Sequence, residues 1–420
     1  MNQLLRQHAE FIVRAAIAAV QPDAAVRRAL AGKAFPGRVL LVAAGKAAWQ
    51  MAKAASDCLQ GRIEAGVVVT KYGHVMGTIA NCVCFEAGHP VPDENSFRGT
   101  QAALDLVSGL TEQDTVLFLL SGGGSALFEK PLLPPAELQA LTQQLLACGA
   151  DIGEINTIRK RLSGVKGGRF AQLCAPAQVE AILLSDVLGD APETIASGPA
   201  CPDPATAADA RAVARKYGLR LSKAAERLLD VETPKTLHNV HIQINGSVRE
   251  LCAAAAETCR RLGYTPILLT DQLCCEAREA GRFLASILRT HQKDGASCAF
   301  LAGGETVVRL TGTGMGGRNQ ELALSAAPGI AGLSNAAVFS VGSDGTDGPT
   351  DAAGGYVDGD TLAALRACGL RTDEVLQNND AYHALEKTGG LLFTGPTGTN
   401  VNDVAVALLR AESRALPTSL

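Results

Sequence analysis

The sequence predicts an α/β protein in which a doubly wound, Rossmann-like α/β/α domain with a mostly parallel sheet precedes a smaller C-terminal α/β domain. Short apolar runs alternate with helical patterns along the chain, as they do in βαβ units. Most of these runs are almost continuously apolar, which is typical of strands covered on both faces. The chain has 420 residues, more than one domain usually holds. We therefore predict two domains, over residues 1–235 and 236–420.

Each predicted element rests on its hydrophobic period. The first thirty residues carry apolar side chains at spacings of three and four, which predicts an amphipathic helix. In the first domain we predict strands over 38–45, 65–71, 114–120 and 178–184, with a helix over 46–60. In the second domain we predict strands over 240–247, 264–271, 298–305, 337–344 and 390–400. Ligands bind beyond the carboxyl ends of parallel strands, so we expect the active site in a cleft between the domains.

Composition narrows the class of partner. The net charge is −4 without charge blocks, and the aromatic residues, at 4%, form no pattern with basic ones, which excludes a nucleic-acid partner. No apolar run is long enough to span a membrane. The twelve cysteines follow no metal or redox spacing and are typical of buried thiols in a reducing cytosol. We expect a cytoplasmic protein that binds small molecules, as a monomer or homodimer.

Acidic residues follow two of the predicted strands. Asp344, Asp347 and Asp351 lie among glycines directly after the strand at 337–344, and Asp186 and Asp190 follow the strand at 178–184. Carboxylates packed this closely repel one another unless a cation or solvent lies between them. We predict that Asp186, Asp190, Asp344 and Asp347 contribute to a Mg²⁺ site.

A glycine-rich loop and a lysine suggest that an anion is bound. Ser121, Gly122, Gly123, Gly124 and Ser125 follow an apolar strand, and such a loop can present successive N–H groups to phosphate or carboxylate. The alternative is an ordinary tight turn. Lys46 stands at a predicted helix start, where a cation opposes the helix dipole, which indicates that an anionic ligand requires the charge. The sequence lacks the spacing of a Walker-type loop.

A second cationic stretch lies between these features. Residues 159–169 carry five cations, including Arg159 and Lys166, and the glycines at 164, 167 and 168 make another anion-binding loop conceivable. A solvated helix face explains the same charges equally well. We retain Arg159 and Lys166 as candidate substrate ligands.

The segment around Arg318 admits two interpretations. Arg318 follows Gly316 and Gly317 at a predicted helix start, and arginine with bare backbone amides suits a phosphoryl group. However, residues 312–317 also match the GxGxxG pattern of dinucleotide-binding proteins, preceded by residues 305–310, which resemble a strand. No single acidic residue follows at the spacing that a ribose requires. The nicotinamide interpretation therefore stays open as the weaker alternative.

Many motifs of the chain agree in order with one known family. The chain resembles the glycerate 2-kinases whose C-terminal half is called the MOFRL domain, from about residue 35 to 410, in the motifs AAGKAAWQMA, VVTKYGH, EAGHPVPDENS, LLSGGGSAL, INTIRKRLSGVKGGRFA, LLSDVLGD, IASGP, LAGGETVV, GMGGRNQE, GSDGTDGPTDAAG and LLFTGPTGTNVND. Members of this family are also labelled hydroxypyruvate reductases. In this family, a lysine in the AAGKA motif and an arginine in the GGRNQE motif are regarded as essential. These positions correspond to Lys46 and Arg318.

The resemblance implies phosphoryl transfer from ATP to the 2-hydroxyl of D-glycerate, with Mg²⁺ aligning the donor. Lys46 and Arg318 would neutralise developing charge, and Asp186 is one candidate for the group that accepts the hydroxyl proton. Two other classes stay open. One is a reductase of hydroxypyruvate or tartronate semialdehyde that uses NAD(P)H, and the other is a nucleotide-binding regulatory protein without turnover.

Overall fold

The structure is a computed structural model that describes residues 1–411. Its strands in chain order are β1 (Val39–Ala44), β2 (Ile63–Lys71), β3 (Cys82–Ala87), β4 (Thr115–Leu120), β5 (Gln178–Leu184), β6 (Val240–Gly246), β7 (Thr265–Leu273), β8 (Cys298–Gly304), β9 (Ala336–Gly342), β10 (Gly354–Asp358), β11 (Leu391–Leu392) and β12 (Asp403–Leu409). Its α-helices are α1 (Gln3–Ala19), α2 (Pro22–Leu30), α3 (Ala48–Leu59), α4 (Glu94–Leu106), α5 (Gly124–Leu127), α6 (Pro135–Ala147), α7 (Ile152–Arg161), α8 (Arg169–Cys174), α9 (Ala207–Lys216), α10 (Lys223–Leu229), α11 (Val248–Arg261), α12 (Ala277–His291), α13 (Arg318–Ile330), α14 (Thr361–Ala367), α15 (Thr372–Gln377) and α16 (Ala381–Thr388). They form two compact units, one of residues 22–245 and one of residues 1–21 and 246 onward.

The unit of residues 22–245 is built on a six-stranded sheet with the order β3-β2-β1-β4-β5-β6. Its strands from β3 to β5 pair in parallel, and β1 and β4 at its centre are buried along their whole length. Phe118 of β4 packs against Phe128 and Phe170, with ring centroids 5.6 and 4.7 Å away. Because β1, β4 and β5 are neighbours and run in parallel, the loops that follow them leave the sheet at one edge. This unit confirms the predicted doubly wound architecture.

The other unit contains a mixed sheet with the order β11-β10-β9-β12-β8-β7. Only β7 and β8 pair in parallel, and the other neighbours are antiparallel. The apolar face of α1 is buried, and α1 packs on α11 in this unit. Asn2 donates its backbone N–H to Asp358 over 2.7 Å, and the rings of His8 and Tyr264 meet edge to face. The N-terminal helix thus belongs to the unit that the C-terminal half of the chain builds.

The structure differs from the sequence predictions at several places, among them residues 390–400, where only Leu391–Leu392 form a strand. The compact units divide at 245/246 rather than at 235/236, because β6 lies beside β5 and the N–H of Val179 donates to the carbonyl of Asn239 over 2.7 Å. Residues 305–310 are not a strand, and their apolar side chains at Val307 and Leu310 are exposed. The apolar strand β12, for which we made no prediction, lies between β8 and β9.

Within residues 1–411, no helix combines the length and the apolar character needed to cross a bilayer.

Candidate functional site

Two loops at the carboxyl edge of the parallel sheet interlock. The loop after β1 carries Lys46, and the loop after β4 carries Ser121 to Gly123. The backbone N–H of Lys46 donates to the carbonyl of Gly122 over 2.9 Å, and the N–H of Ala47 donates to the hydroxyl of Ser121 over 3.1 Å. These backbone hydrogen bonds therefore hold the loop of Lys46 against the glycine loop, both of which were predicted from the sequence.

Glycine is required where these loops approach other atoms. Gly45 has φ +124°, and a Cβ there would lie 2.2 Å from the Ser121 hydroxyl oxygen. A Cβ on Gly122 would lie 2.3 Å from a carboxylate oxygen of Asp186. Because real Cβ atoms do not approach other atoms so closely, only glycine lets Asp186 lie against the loop. The structure thus brings Lys46, the glycine loop and Asp186 together, as the order of the strands predicts.

Lys46 is anchored through its backbone while its ammonium group stays unpaired. Its carbonyl accepts a hydrogen bond from the Thr70 hydroxyl over 3.2 Å and lies 2.9 Å from Nδ1 of His74. Its Nζ makes no hydrogen bond or ion pair with any of residues 1–411. A cation fixed in place without a protein partner is suited to bind an anionic ligand.

The loop after β5 offers two carboxylates for a cation. Asp186 lies against Gly122, and Asp190 has the left-handed φ of +53°. One oxygen of Asp190 is buried and accepts no hydrogen bond from residues 1–411. Over the same residues, no three His, Cys, Asp or Glu side chains are grouped as a metal cluster. The unsatisfied oxygen of Asp190 suits Mg²⁺, which usually keeps several waters and takes only one or two protein carboxylates.

A strained segment supports the glycine loop from behind. Ala196 and Ser197 have φ of +50° and +62°, conformations that side chains other than glycine rarely adopt. The hydroxyl of Ser197 lies 3.2 Å from that of Ser125 and donates to Asn156 over 2.8 Å. Ser125, predicted as a phosphate ligand, is thereby connected to a buried polar chain. Its counterpart Ser197 was not singled out from the sequence, although it lies in the IASGP motif.

Two of the cationic residues in the stretch at 159–169 differ in whether their charge is paired within the protein. The Lys166 ammonium is fully buried, 2.8 Å from a carboxylate oxygen of Glu129 and 3.0 Å from the carbonyl of Phe128. Burial lowers the pKa of Lys166, and Glu129 opposes that shift. By contrast, the guanidinium of Arg159 forms no hydrogen bond or ion pair within residues 1–411. The contacts of Lys166 support a structural role, whereas Arg159 is available to a ligand.

In the other unit, Arg318 begins α13 and is held by two carboxylates. Its Nε and Nη2 donate to the two oxygens of Asp403 over 2.5 and 3.0 Å, and its Nη1 lies 2.9 Å from Glu305. Burial lowers the pKa of Arg318, but its hydrogen bond and charge interaction with Asp403 outweigh that effect and raise it. Glu305 and Asp403 were not singled out from the sequence, and their positions directly after β8 and at the start of β12 are the signal that could have identified them.

The N-terminus of α13 is capped by Asp347. The backbone N–H groups of Asn319 and Gln320 donate to its two oxygens over 3.1 and 2.8 Å. A Cβ on Gly317 would lie 2.2 Å from the Asp347 carboxylate carbon, and one on Gly348 would lie 2.6 Å from the carbonyl oxygen of Gly316. Gly316 and Gly317, predicted to bind phosphate, therefore leave room for the Asp347 loop. These contacts favour a structural role for Asp347, and its role in cation binding stays a prediction.

Asp344, the other predicted ligand in this loop, is half-buried. One of its carboxylate oxygens accepts the backbone N–H of Thr346 over 3.0 Å. Its predicted role in cation binding also stays a prediction.

Asp347 should make stability depend on pH near neutrality. Burial raises its pKa to about 7, so between about pH 4 and pH 7 the folded protein keeps a proton that the unfolded chain has released. The contribution of this group to the free energy of unfolding therefore falls as pH rises through that window. We expect Asp347→Asn to gain roughly 2 kcal/mol relative to wild type between pH 5 and pH 7.5. Urea denaturation of both proteins at the two pH values measures this, and a difference that does not change with pH would contradict it.

Comparison with known proteins gives matches over both halves of the chain. Residues 8–230 match a family model described as a domain of unknown function, DUF4147, and residues 298–403 match the MOFRL family. The chain is 54% identical over 411 residues to a D-glycerate 2-kinase of Thermotoga maritima, which covers 96% of this chain and 98% of that protein. It is 39% identical over 424 residues to an Agrobacterium vitis protein named as a hydroxypyruvate reductase, covering 97% of this chain and 94% of that one. A crystal structure of glycerate kinase from Thermotoga maritima matches with a TM-score of 0.93 at 52% identity, covering 97% of this chain and all of that chain.

Proposed function

Because the chain belongs to the glycerate 2-kinase family, with DUF4147 and MOFRL segments in that order, we propose that it transfers the γ-phosphoryl group of ATP to the 2-hydroxyl of D-glycerate. The class of reaction is that of a kinase, a phosphotransferase. The observation that carries the proposal is that Lys46, whose ammonium pairs with none of residues 1–411, lies with its backbone and Cγ at the Ser121–Gly123 loop, while the Asp186 carboxylate lies against the same loop. This arrangement offers an anion a cation and free backbone N–H groups, which phosphoryl transfer requires.

Different residues would bind the phosphoryl group, the cation and the substrate carboxylate. Lys46 and the N–H groups of Gly122 and Gly123, which donate to no acceptor within residues 1–411, would hold phosphoryl or carboxylate oxygens. Asp186 and Asp190 would hold Mg²⁺, which when bound neutralises charge on the donor phosphates. Arg159 would pair with the substrate carboxylate.

Arg318 would neutralise charge on a ligand anion in its own unit. Asp403 fixes the guanidinium from one side through two hydrogen bonds. Glu305 has a half-exposed side chain, so an anionic oxygen can replace it at Nη1 while Asp403 keeps the orientation. Arginine held in this way stabilises charge without first having to reorganise.

The reductase alternative loses its structural context. A dinucleotide fingerprint needs a strand before its glycines, and residues 305–310 do not form one. A Cβ on Gly312 or Gly314 would lie 2.4 or 2.5 Å from Asn378 and Asp380, so these glycines are packed against another loop. That packing explains why they are glycines without a pyrophosphate.

The test is a product assay. Purified protein is incubated with ATP, Mg²⁺ and D-glycerate, and enolase converts any 2-phosphoglycerate to phosphoenolpyruvate, which is read by its ultraviolet absorbance. A signal without phosphoglycerate mutase is expected. A signal that needs mutase would mean that 3-phosphoglycerate is the product and that the proposed regiochemistry is wrong. Oxidation of NADH by hydroxypyruvate, without any response to ATP, would support the reductase instead.

Gly122→Ala tests whether the loop and Asp186 must touch. The added methyl would lie 2.3 Å from an Asp186 oxygen and push the carboxylate away. We expect kcat to fall ~10²-fold, since displacing an aligned group by about 1 Å has that effect. The matched control is Gly153→Ala, where the methyl comes no closer than 3.1 Å to its neighbours. Comparable rates for both variants in the product assay would contradict the assigned contact.

A further inference from the structure

A histidine stands at the glycine loop beside Lys46. His89 lies just beyond the end of β3, at the same edge of the sheet as the loops after β1 and β4. A Cβ on Gly123 would lie 2.9 Å from Cδ2 and 3.0 Å from Nε2 of its ring, and 3.1 Å from Cγ of Lys46. The imidazole, the loop and the lysine stem therefore border the same small space.

Neither ring nitrogen of His89 forms a hydrogen bond within residues 1–411. The other histidines in the same unit are differently placed: His74 contacts the Lys46 carbonyl, His241 contacts the Glu180 carboxylate, and His238 is exposed. The rings of His74 and His241 have evident structural partners. The half-buried ring of His89 has none, yet it lies against the loop that we assign to the transferred group.

The charges around His89 keep its ring neutral. Burial lowers the pKa of His89, and the cations of Lys46 and Lys71 lower it further. The carboxylates nearby on its own segment are engaged elsewhere, since Asp93 accepts from Tyr72 and Ser96. A neutral imidazole has a free lone pair at neutral pH, which is the form a proton acceptor needs.

We propose that His89 is a catalytic residue that accepts the proton of the attacking substrate hydroxyl. This inference rests on the proposed function. The hydroxyl oxygen forms a bond to the γ-phosphorus, the bond from that phosphorus to the β,γ-bridging oxygen breaks, and ADP leaves. The hydroxyl proton passes to the unprotonated ring nitrogen of His89. Lys46, on the same side of the loop, stabilises the oxygen that loses the proton.

The positions of His89 and Asp186 allow different residues to accept the proton and to bind the cation. Asp186 lies against Gly122, whereas His89 lies against Gly123. A carboxylate that holds Mg²⁺ is a weaker base, because the cation stabilises its charged form. Assigning the proton to His89 leaves Asp186 for the cation.

The test compares wild type, His89→Gln and His89→Ala in the product assay across pH. We expect kcat of His89→Gln to fall ~10²-fold with the KM values for ATP and D-glycerate nearly unchanged, because glutamine keeps a polar group but cannot take a proton. The acidic limb of the kcat/KM profile should disappear. Free imidazole should restore part of the activity of His89→Ala. His241→Gln, which changes a ring bonded to Glu180, is the control that should behave as wild type.

Each other outcome has a defined meaning. A wild-type rate in His89→Gln, an acidic limb that persists, or the absence of rescue by imidazole in a folded His89→Ala protein would overturn the role of His89 alone. Loss of the acidic limb in Asp186→Asn but not in the His89 variants would assign the base to Asp186. If wild type makes no phosphoglycerate, both the proposed function and this inference fail.

Discussion

Lys46→Met is expected to lower kcat/KM for D-glycerate ~10³-fold, which is what removing a preorganised charge from a phosphoryl-transfer site costs. Methionine retains the apolar stem, so contacts near Cγ persist. The backbone bonds of Lys46 to Gly122, Thr70 and His74 do not involve the side chain. Because the ammonium pairs with none of residues 1–411, the free energy of unfolding should change by no more than ~0.5 kcal/mol.

The control for this prediction is Lys53→Met on α3, the helix that follows the loop of Lys46. The Lys53 ammonium is exposed and pairs with Asp57, away from the loops of the site. The Lys53→Met variant should keep the activity of wild type. If Lys46→Met retained even a tenth of the activity while remaining folded, the assigned role of the ammonium would be wrong.

Arg318→Lys is expected to lower kcat/KM ~10²-fold although the positive charge is kept. Lysine cannot reproduce the two parallel hydrogen bonds to Asp403 and the contact to Glu305 at the same time. Its ammonium would still neutralise buried Asp403, so the protein should fold. Arg318→Ala would instead leave that carboxylate buried without a partner, which would confound activity with stability.

Arg278→Lys is the matched control, because Arg278 also forms a partly buried pair, with Glu321, in the same unit. It should lose some stability but keep its turnover per folded molecule. Equal losses of turnover in the two variants, measured together with urea denaturation, would mean that Arg318 acts only through packing.

The sequence predicted those parts of the site that depend on local chain order. Lys46, the Ser121–Gly124 loop and Asp186 each follow a strand of one parallel sheet, so adjacency of the strands brings them to one edge. The alternation of apolar strand patterns with helical patterns also made the doubly wound architecture predictable.

What the sequence did not reveal depends on pairing across long separations. The residues around Lys166 in the sequence do not indicate that Glu129 neutralises its charge. For this reason Lys166 was predicted as a substrate ligand, although its contacts support a structural role. Likewise, the role of Asp347 at α13 depends on contacts made only in the folded state.

The direction of the strands in the second sheet also could not be predicted from the local hydrophobic pattern. β8, β9 and β12 are as apolar as the central parallel strands, yet β12 runs antiparallel to both neighbours. A continuous apolar run reports burial on two faces, and helices can cover an antiparallel sheet as well as a parallel one.

The placement of α1 has a consequence for how the chain is made. This helix is synthesised before residues 22–245, but α11, on which it packs, follows only after those residues have been made. At ~5–20 residues per second, an emerging chain would carry the apolar face of α1 without its partner for tens of seconds. The unit of residues 22–245 can meanwhile fold as one uninterrupted segment. The nascent chain can thus complete the unit of residues 22–245 before α1 finds its partner, and the apolar face of α1 stays open to chaperones during that interval.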